Sequence, residues 1–164
     1  MRKLKLSLDK LNFGVLLLVF SGTMVGLSIL ISILFSLLEV DVMVNTQFDE
    51  LSPAALLFGA VFFAPIIETF IFQFGVIEIG IKILERIRDL SIHWFVPGIV
   101  SALLFGLAHQ YNLNYVLVTF LMGLLLAGIY YYTRQRFGAS MAFVMCSAVH
   151  GLNNLVAFIG QMYA

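Results

Sequence analysis

The chain has 164 residues, of which 62 % are hydrophobic and 11 % are charged. A soluble domain carries roughly 45–50 % apolar and about 25 % charged residues, so a compact soluble domain of this composition could not cover its own surface. Nine Lys and Arg residues balance nine Asp and Glu residues, which excludes the basic excess of a nucleic-acid-binding protein. The single cysteine, Cys146, excludes a disulfide framework. The composition therefore predicts a small integral membrane protein whose residues 1–164 form one domain in the lipid bilayer.

Apolar stretches separated by short polar segments predict five membrane spans. In chain order they lie near residues 12–37, 54–84, 92–109, 114–133 and 138–162. A spanning helix needs about 20 residues, so the third stretch is short for a full crossing. Because proline lacks a backbone N–H, Pro65 is expected to break the second span into a half-helix at 54–63 and a longer helix from Ile66. The predicted fold class is an all-α polytopic transmembrane helical bundle with a Pro-broken second span.

The positions of the basic residues predict the orientation in the membrane. Four lie before the first span, three lie at 82–88 and two lie at 134–136, which accounts for all nine Lys and Arg residues. Five spans place these three segments on one side. By the positive-inside rule, we expect a multi-pass protein of the cell membrane with its N-terminus in the cytoplasm.

Glu78 is an ionisable residue inside a predicted span. A charge at the centre of a membrane helix costs on the order of 2.5–3.5 kcal/mol on insertion scales, so it needs a partner. Glu78 precedes Lys82 by four residues, and this spacing predicts an ion pair along one helix face.

Four further polar residues lie in three different spans: Glu68 in the second, His109 at the end of the third, and His150 and Asn154 in the fifth. His150 and Asn154 share a helix face because they are four residues apart. The cost of leaving each side chain alone in lipid predicts that the four face one another. They form either a functional site or a buried polar network that holds the helices together.

Local sequence around these residues favours a functional site. The motifs are Pro65 before Glu68, Phe105-x-x-x-His109 and His150-x-x-x-Asn154. Their order and spacing resemble the CPBP or Abi family, which contains CAAX-type (type II) prenyl endopeptidases and bacteriocin-processing intramembrane proteases. The resemblance implies a catalytic core over 54–160 and an intramembrane endopeptidase, with Phe105 in a supporting position.

The first motif departs from the family pattern of Glu-Glu-x-x-x-Arg. Thr69 replaces the second Glu and Gln73 replaces the Arg. The two positions share one helix face, where the family pair could form an ion pair. Losing both charges together avoids an unpaired buried charge. We therefore interpret Thr69 and Gln73 as a neutral supporting pair, able to hydrogen-bond, and keep Glu68 as the active position.

Peptide hydrolysis requires an activated water, a proton shuttle and stabilisation of the tetrahedral oxyanion. Glu68 suits the general base, and His109 could hold the water or pass its proton to the leaving amine. His150 and Asn154 could donate hydrogen bonds to the oxyanion. The resemblance implies the same glutamate-dependent assignment. Because Asn154 is a poor zinc ligand, we expect catalysis without a cofactor.

Three other interpretations stay open at this point. Glu68, His109 and His150 are acceptable zinc ligands, although the sequence lacks His-Glu-x-x-His. A non-catalytic immunity or scaffold protein could retain the motifs as a polar core, and intramembrane Glu and His also mark ion paths in transporters. For the protease, we expect a hydrophobic peptide or membrane-protein substrate and a role in bacteriocin self-immunity or peptide maturation. The oligomeric state is left open.

Overall fold

The computed structural model describes residues 8–40, 52–86 and 95–162, and these residues form an all-helical bundle. Its main helices are α1 (Phe13–Leu37), α2 (Pro53–Arg86), α3 (Phe95–Leu107), α4 (Leu113–Phe137) and α5 (Ala139–Met162). All helices but α3 are long and apolar enough to cross a membrane, and α3 has 13 residues. The predicted helical bundle and its short third helix are confirmed.

Local sequence sets several helix ends. Asn12 and Asn112 precede α1 and α4, and their side chains accept hydrogen bonds from Val15 N and Tyr115 N. Such N-caps satisfy backbone N–H groups that have no partner within the helix. At the other end of α4, Gly138 adopts a positive φ of 87°, a conformation that glycine accepts at little cost. The chain then enters α5 after one residue.

The two separate helices expected around Pro65 are not found, because Pro53–Arg86 is one continuous helix of 34 residues. Its hydrogen-bond register changes instead. Leu57–Phe63 and Thr69–Val76 are π-helical, and Ala64–Glu68 between them is α-helical. In the first π stretch the Ala64 N–H bonds the Gly59 carbonyl. The next bond in that register would need an N–H on Pro65, which proline lacks. The proline thus ends a π stretch without breaking the chain.

Helix α4 packs closely against α3 and α5. Two glycines allow the approach of α3 and α4: a Cβ on Gly106 would lie 2.9 Å from the Val116 carbonyl oxygen, and one on Gly123 would lie 3.0 Å from Ala102 Cα. The core on the other side of α4 contains fully buried apolar side chains from α1, α4 and α5, among them Leu16, Leu126, Tyr130, Met145 and Val149. This packing fixes the relative positions of the helices that carry the predicted motifs.

The ion pair expected between Glu78 and Lys82 is replaced by a contact between helices. The Arg134 guanidinium donates to both Glu78 carboxylate oxygens, with Nη2 3.0 Å from Oε2. The buried Tyr130 hydroxyl donates to Glu78 Oε1 over 2.9 Å. A bidentate Arg–carboxylate pair is stronger than a single contact with lysine. It connects the end of α2 to the end of α4.

A second arginine holds the N-terminal segment at the same end of the bundle. Arg136 donates to the carbonyl oxygens of Leu8 and Leu11 at 2.9 and 2.8 Å. Residues 8–11, the end of α2 and the end of α4 therefore lie together. The many exposed apolar side chains of the long helices match a lipid environment, and the chain is a multi-pass membrane protein.

Candidate active site

Three of the four predicted site residues converge on one point in the bundle. Glu68 comes from α2, His109 from the turn after α3, and His150 from α5. Glu68 Oε1 lies 3.9 Å from His109 Nε2, and Glu68 Oε2 lies 3.7 Å from His150 Nε2. Each imidazole thus faces a different oxygen of one carboxylate. Both distances exceed those of direct hydrogen bonds and suit groups that share a small polar molecule.

The site is partly open to solvent. The side chains of Glu68 and His109 are 25 % and 17 % exposed, whereas that of His150 is 7 % exposed. Glu68 and His109 therefore lie on the more open side of the site, and His150 lies on the buried side.

Helix geometry fixes the orientation of His109. Its Nδ1 lies 2.7 Å from the Phe105 carbonyl oxygen. Because a carbonyl only accepts hydrogen bonds, we assign the proton to Nδ1. In neutral His109 the lone pair on Nε2 then faces Glu68. A carboxylate and an imidazole lone pair at this separation are two acceptors, which a water molecule can satisfy with its two O–H groups.

His150 has the complementary arrangement. Its Nδ1 is buried and has no hydrogen-bond partner among the residues that the structure describes. We therefore assign the proton of neutral His150 to Nε2, where the donor faces the Glu68 carboxylate. The two histidines then present one acceptor and one donor to the same space.

Phe105 packs against both histidines. Its ring centroid lies 4.7 Å from that of His109 and 5.6 Å from that of His150, and Phe72 from α2 makes an edge contact with it at 5.6 Å. Phe105 thus lies beside both imidazoles, and its supporting role stays a prediction.

Asn154 lies on the same face of α5 as His150 but binds the backbone of α2. Its Nδ2 donates to the Ala60 carbonyl oxygen over 2.8 Å. This is the carbonyl whose partner in the π register would have been Pro65. Asn154 thus satisfies a backbone group left open by the proline. One turn earlier, a Cβ on Gly151 would lie 2.7 Å from the Val61 carbonyl oxygen, so α5 touches α2 along this segment.

The neutral pair Thr69 and Gln73 is fully buried. The Thr69 hydroxyl and both polar atoms of the Gln73 amide have no hydrogen-bond partner within the described part of the chain. The hydrogen bond expected between them is therefore not formed.

Sequence reasoning missed two neighbours of the site. The Ala60 carbonyl is a backbone group, and only the proline five residues later indicates that it needs a partner. Tyr115 lies in the first turn of α4 with its ring centroid 5.9 Å from that of His109. Its position depends on the turn at residues 108–112, which no motif marks.

The zinc alternative concerns Glu68, His109 and His150. In the described ranges, no group of three or more His, Cys, Asp or Glu side chains is arranged to hold a metal ion. His150 also lacks a described partner on Nδ1, whereas histidine ligands of zinc usually donate that second N–H to a fixed acceptor.

The fold and the site together define a multi-pass membrane protein with a carboxylate between two imidazoles inside the bundle. Residues 50–156 match the family model of the Rce1-like type II CAAX prenyl endopeptidases. The chain belongs to this family of CAAX-type intramembrane proteases, and the resemblance predicted from the motifs is confirmed. The matched region contains the site residues and excludes α1. No curated protein and no solved structure matches the chain significantly.

Proposed function

We propose that the protein is an intramembrane endopeptidase that hydrolyses a peptide bond in a hydrophobic peptide or a membrane-associated protein. The observation that carries the proposal is the Glu68 carboxylate, which faces His109 Nε2 on one side and His150 Nε2 on the other. This places a general base, a second water ligand and a hydrogen-bond donor around one space.

The first half of the reaction uses Glu68 and His109. A water molecule donates one O–H to the Glu68 carboxylate and the other to the lone pair of His109 Nε2. As the water oxygen attacks the substrate carbonyl carbon, Glu68 takes the first proton. The carbonyl π electrons move to oxygen and produce a tetrahedral oxyanion. Positioning of a water in this way supplies both proximity and general base catalysis.

The second half uses donors on α5. His150 Nε2–H donates a hydrogen bond to the oxyanion, and Asn154 contributes through the amide N–H that does not bind Ala60. When the tetrahedral intermediate collapses, the C–N bond breaks and the amine leaves with the proton that Glu68 took. His109 can relay that proton. The products are a new carboxyl terminus and a free amine, and Glu68 is again a carboxylate.

We propose a biological role in bacteriocin self-immunity or peptide maturation, with a hydrophobic peptide or membrane-associated protein as the substrate. We also propose that no metal ion takes part, since the described side chains offer no metal-holding group. A non-catalytic scaffold is the second candidate. Thr69 and Gln73 favour this candidate. They are neutral where the family has a charged pair, and their buried polar atoms have no hydrogen-bond partner among the described residues.

A cleavage assay distinguishes these functions. The purified protein in lipid nanodiscs is incubated with a library of hydrophobic peptides, with and without 1,10-phenanthroline. The proposal predicts cleavage by the wild-type protein that the chelator does not reduce and that Glu68→Gln abolishes. Glu85→Gln, the same change at an exposed position of α2, is the matched control and should cleave normally. Absence of cleavage by the wild-type protein would favour the scaffold, and loss with chelator would favour a zinc enzyme.

A further inference from the structure

Tyr115 is a polar side chain beside the site that the mechanism above does not use. It lies in the first turn of α4, where its backbone N–H donates to the Asn112 side chain over 2.8 Å. The N-cap fixes the start of the helix and with it the position of the tyrosine. The residue is only partly exposed.

One ring contact places Tyr115 beside the reacting groups. Its ring centroid lies 5.9 Å from that of His109, the imidazole whose Nε2 faces Glu68. The tyrosine therefore lies beside the site on the α4 side, next to His109.

A donor on the α4 side would supplement the donors on α5. Oxyanion sites present preorganised hydrogen-bond donors at the position where charge develops. On the α5 side, His150 offers Nε2–H, but one Asn154 N–H already binds the Ala60 carbonyl. A phenol hydroxyl is a suitable donor that keeps its own proton near neutral pH, since its ordinary pKa is about 10.

We propose that the Tyr115 hydroxyl is a catalytic hydrogen-bond donor that stabilises the oxyanion together with His150. This inference rests on the proposed peptidase function. The hydroxyl donates a hydrogen bond as negative charge develops on the carbonyl oxygen, and it transfers no proton. Because the bond strengthens only as charge develops, its loss should lower kcat and leave KM nearly unchanged.

The matched pair Tyr115→Phe and Tyr111→Phe tests this role. Both changes remove one hydroxyl, and the two rings contact each other with centroids 5.2 Å apart, but Tyr111 is exposed. With a peptide that the wild-type protein cleaves, Tyr115→Phe should reduce kcat about 10²–10³-fold, as for removal of one oxyanion donor. Tyr111→Phe should reduce kcat less than about 3-fold, a free-energy change within the range usual for surface substitutions.

A second measurement separates the donor from a packing role. A phosphinate analogue of the same peptide carries negative oxygens at a tetrahedral centre, so Tyr115→Phe should weaken its inhibition in parallel with kcat. Size-exclusion chromatography and thermal unfolding establish that the variants are folded, and Tyr115→Trp, which retains an N–H donor, should recover part of the lost rate. An unchanged kcat in Tyr115→Phe would overturn this inference and leave the peptidase function intact. A wild-type protein that cleaves no peptide would overturn both.

Discussion

Replacement of Gly151 by alanine should displace the site without altering any of its polar groups. The new Cβ would lie 2.7 Å from the Val61 carbonyl oxygen, whereas ordinary contacts begin at 3.4 Å. Because the opposing atom is backbone, α5 must move away from α2 by about 0.7 Å, and overpacking of this kind costs about 1–3 kcal/mol. The Asn154–Ala60 hydrogen bond, now 2.8 Å, would approach the limit for a hydrogen bond.

The same displacement separates His150 on α5 from Glu68 on α2, which now lie 3.7 Å apart. A misplacement of about 1 Å can cost about 10²-fold in rate, so we expect Gly151→Ala to cleave about 10-fold to 10²-fold more slowly. Its thermal unfolding temperature should also fall. Cleavage rates in nanodiscs and thermal unfolding of the same preparations measure the two effects.

Gly160→Ala is the matched control because it lies on the same helix and its Cβ would meet nothing within 4 Å. Alanine there should stabilise the helix slightly, by about 0.5–1 kcal/mol, and leave cleavage unchanged. If Gly151→Ala were as active and as stable as Gly160→Ala, the close contact between α5 and α2 would not position the site.

Two further predictions concern the end of the bundle that holds the basic residues. Glu78→Gln should lower the free energy of unfolding by about 1–3 kcal/mol, since it leaves Arg134 without its charged partner. The double change Glu78→Gln with Arg134→Gln should lower it by less than the two single changes added together. Additive losses in this double-mutant cycle would contradict the ion pair. We also propose that this end is cytoplasmic, because the Arg136 contacts join the N-terminal segment to the end of α4 and basic segments stay inside. Reporter fusions at Arg86 and at the C-terminus should therefore lie on opposite sides, and the same side for both would refute the orientation.

The spans could be predicted from sequence because hydropathy acts over whole segments. Each predicted stretch overlaps one helix, and the shortness of the third is retained in the 13-residue α3. The convergence of Glu68, His109 and His150 followed from the cost of placing each alone in lipid. These predictions needed only the composition of a segment and the chemistry of a side chain.

Predictions that depended on local helical spacing were less accurate. The spacing rule paired Glu78 with Lys82, but the bidentate partner Arg134 is 56 residues away. The missing N–H of proline predicted a helix break at Pro65. That prediction considered a single helix, whereas the open Ala60 carbonyl accepts a hydrogen bond from Asn154 on α5. Tyr115 carried no sequence signal, because its place beside His109 is set by the turn between α3 and α4.

The most direct measurement of the central claim follows the oxygen of water into the product. The wild-type protein and Glu85→Gln, incubated with a cleavable peptide in H₂¹⁸O, should each produce a new carboxyl terminus that carries one ¹⁸O atom. Glu68→Gln retains the shape of the side chain but cannot take a proton from water, so its rate should fall by at least about 10²-fold at equal amounts of folded protein. Formation of the labelled product by Glu68→Gln at the wild-type rate would contradict a water activated by Glu68.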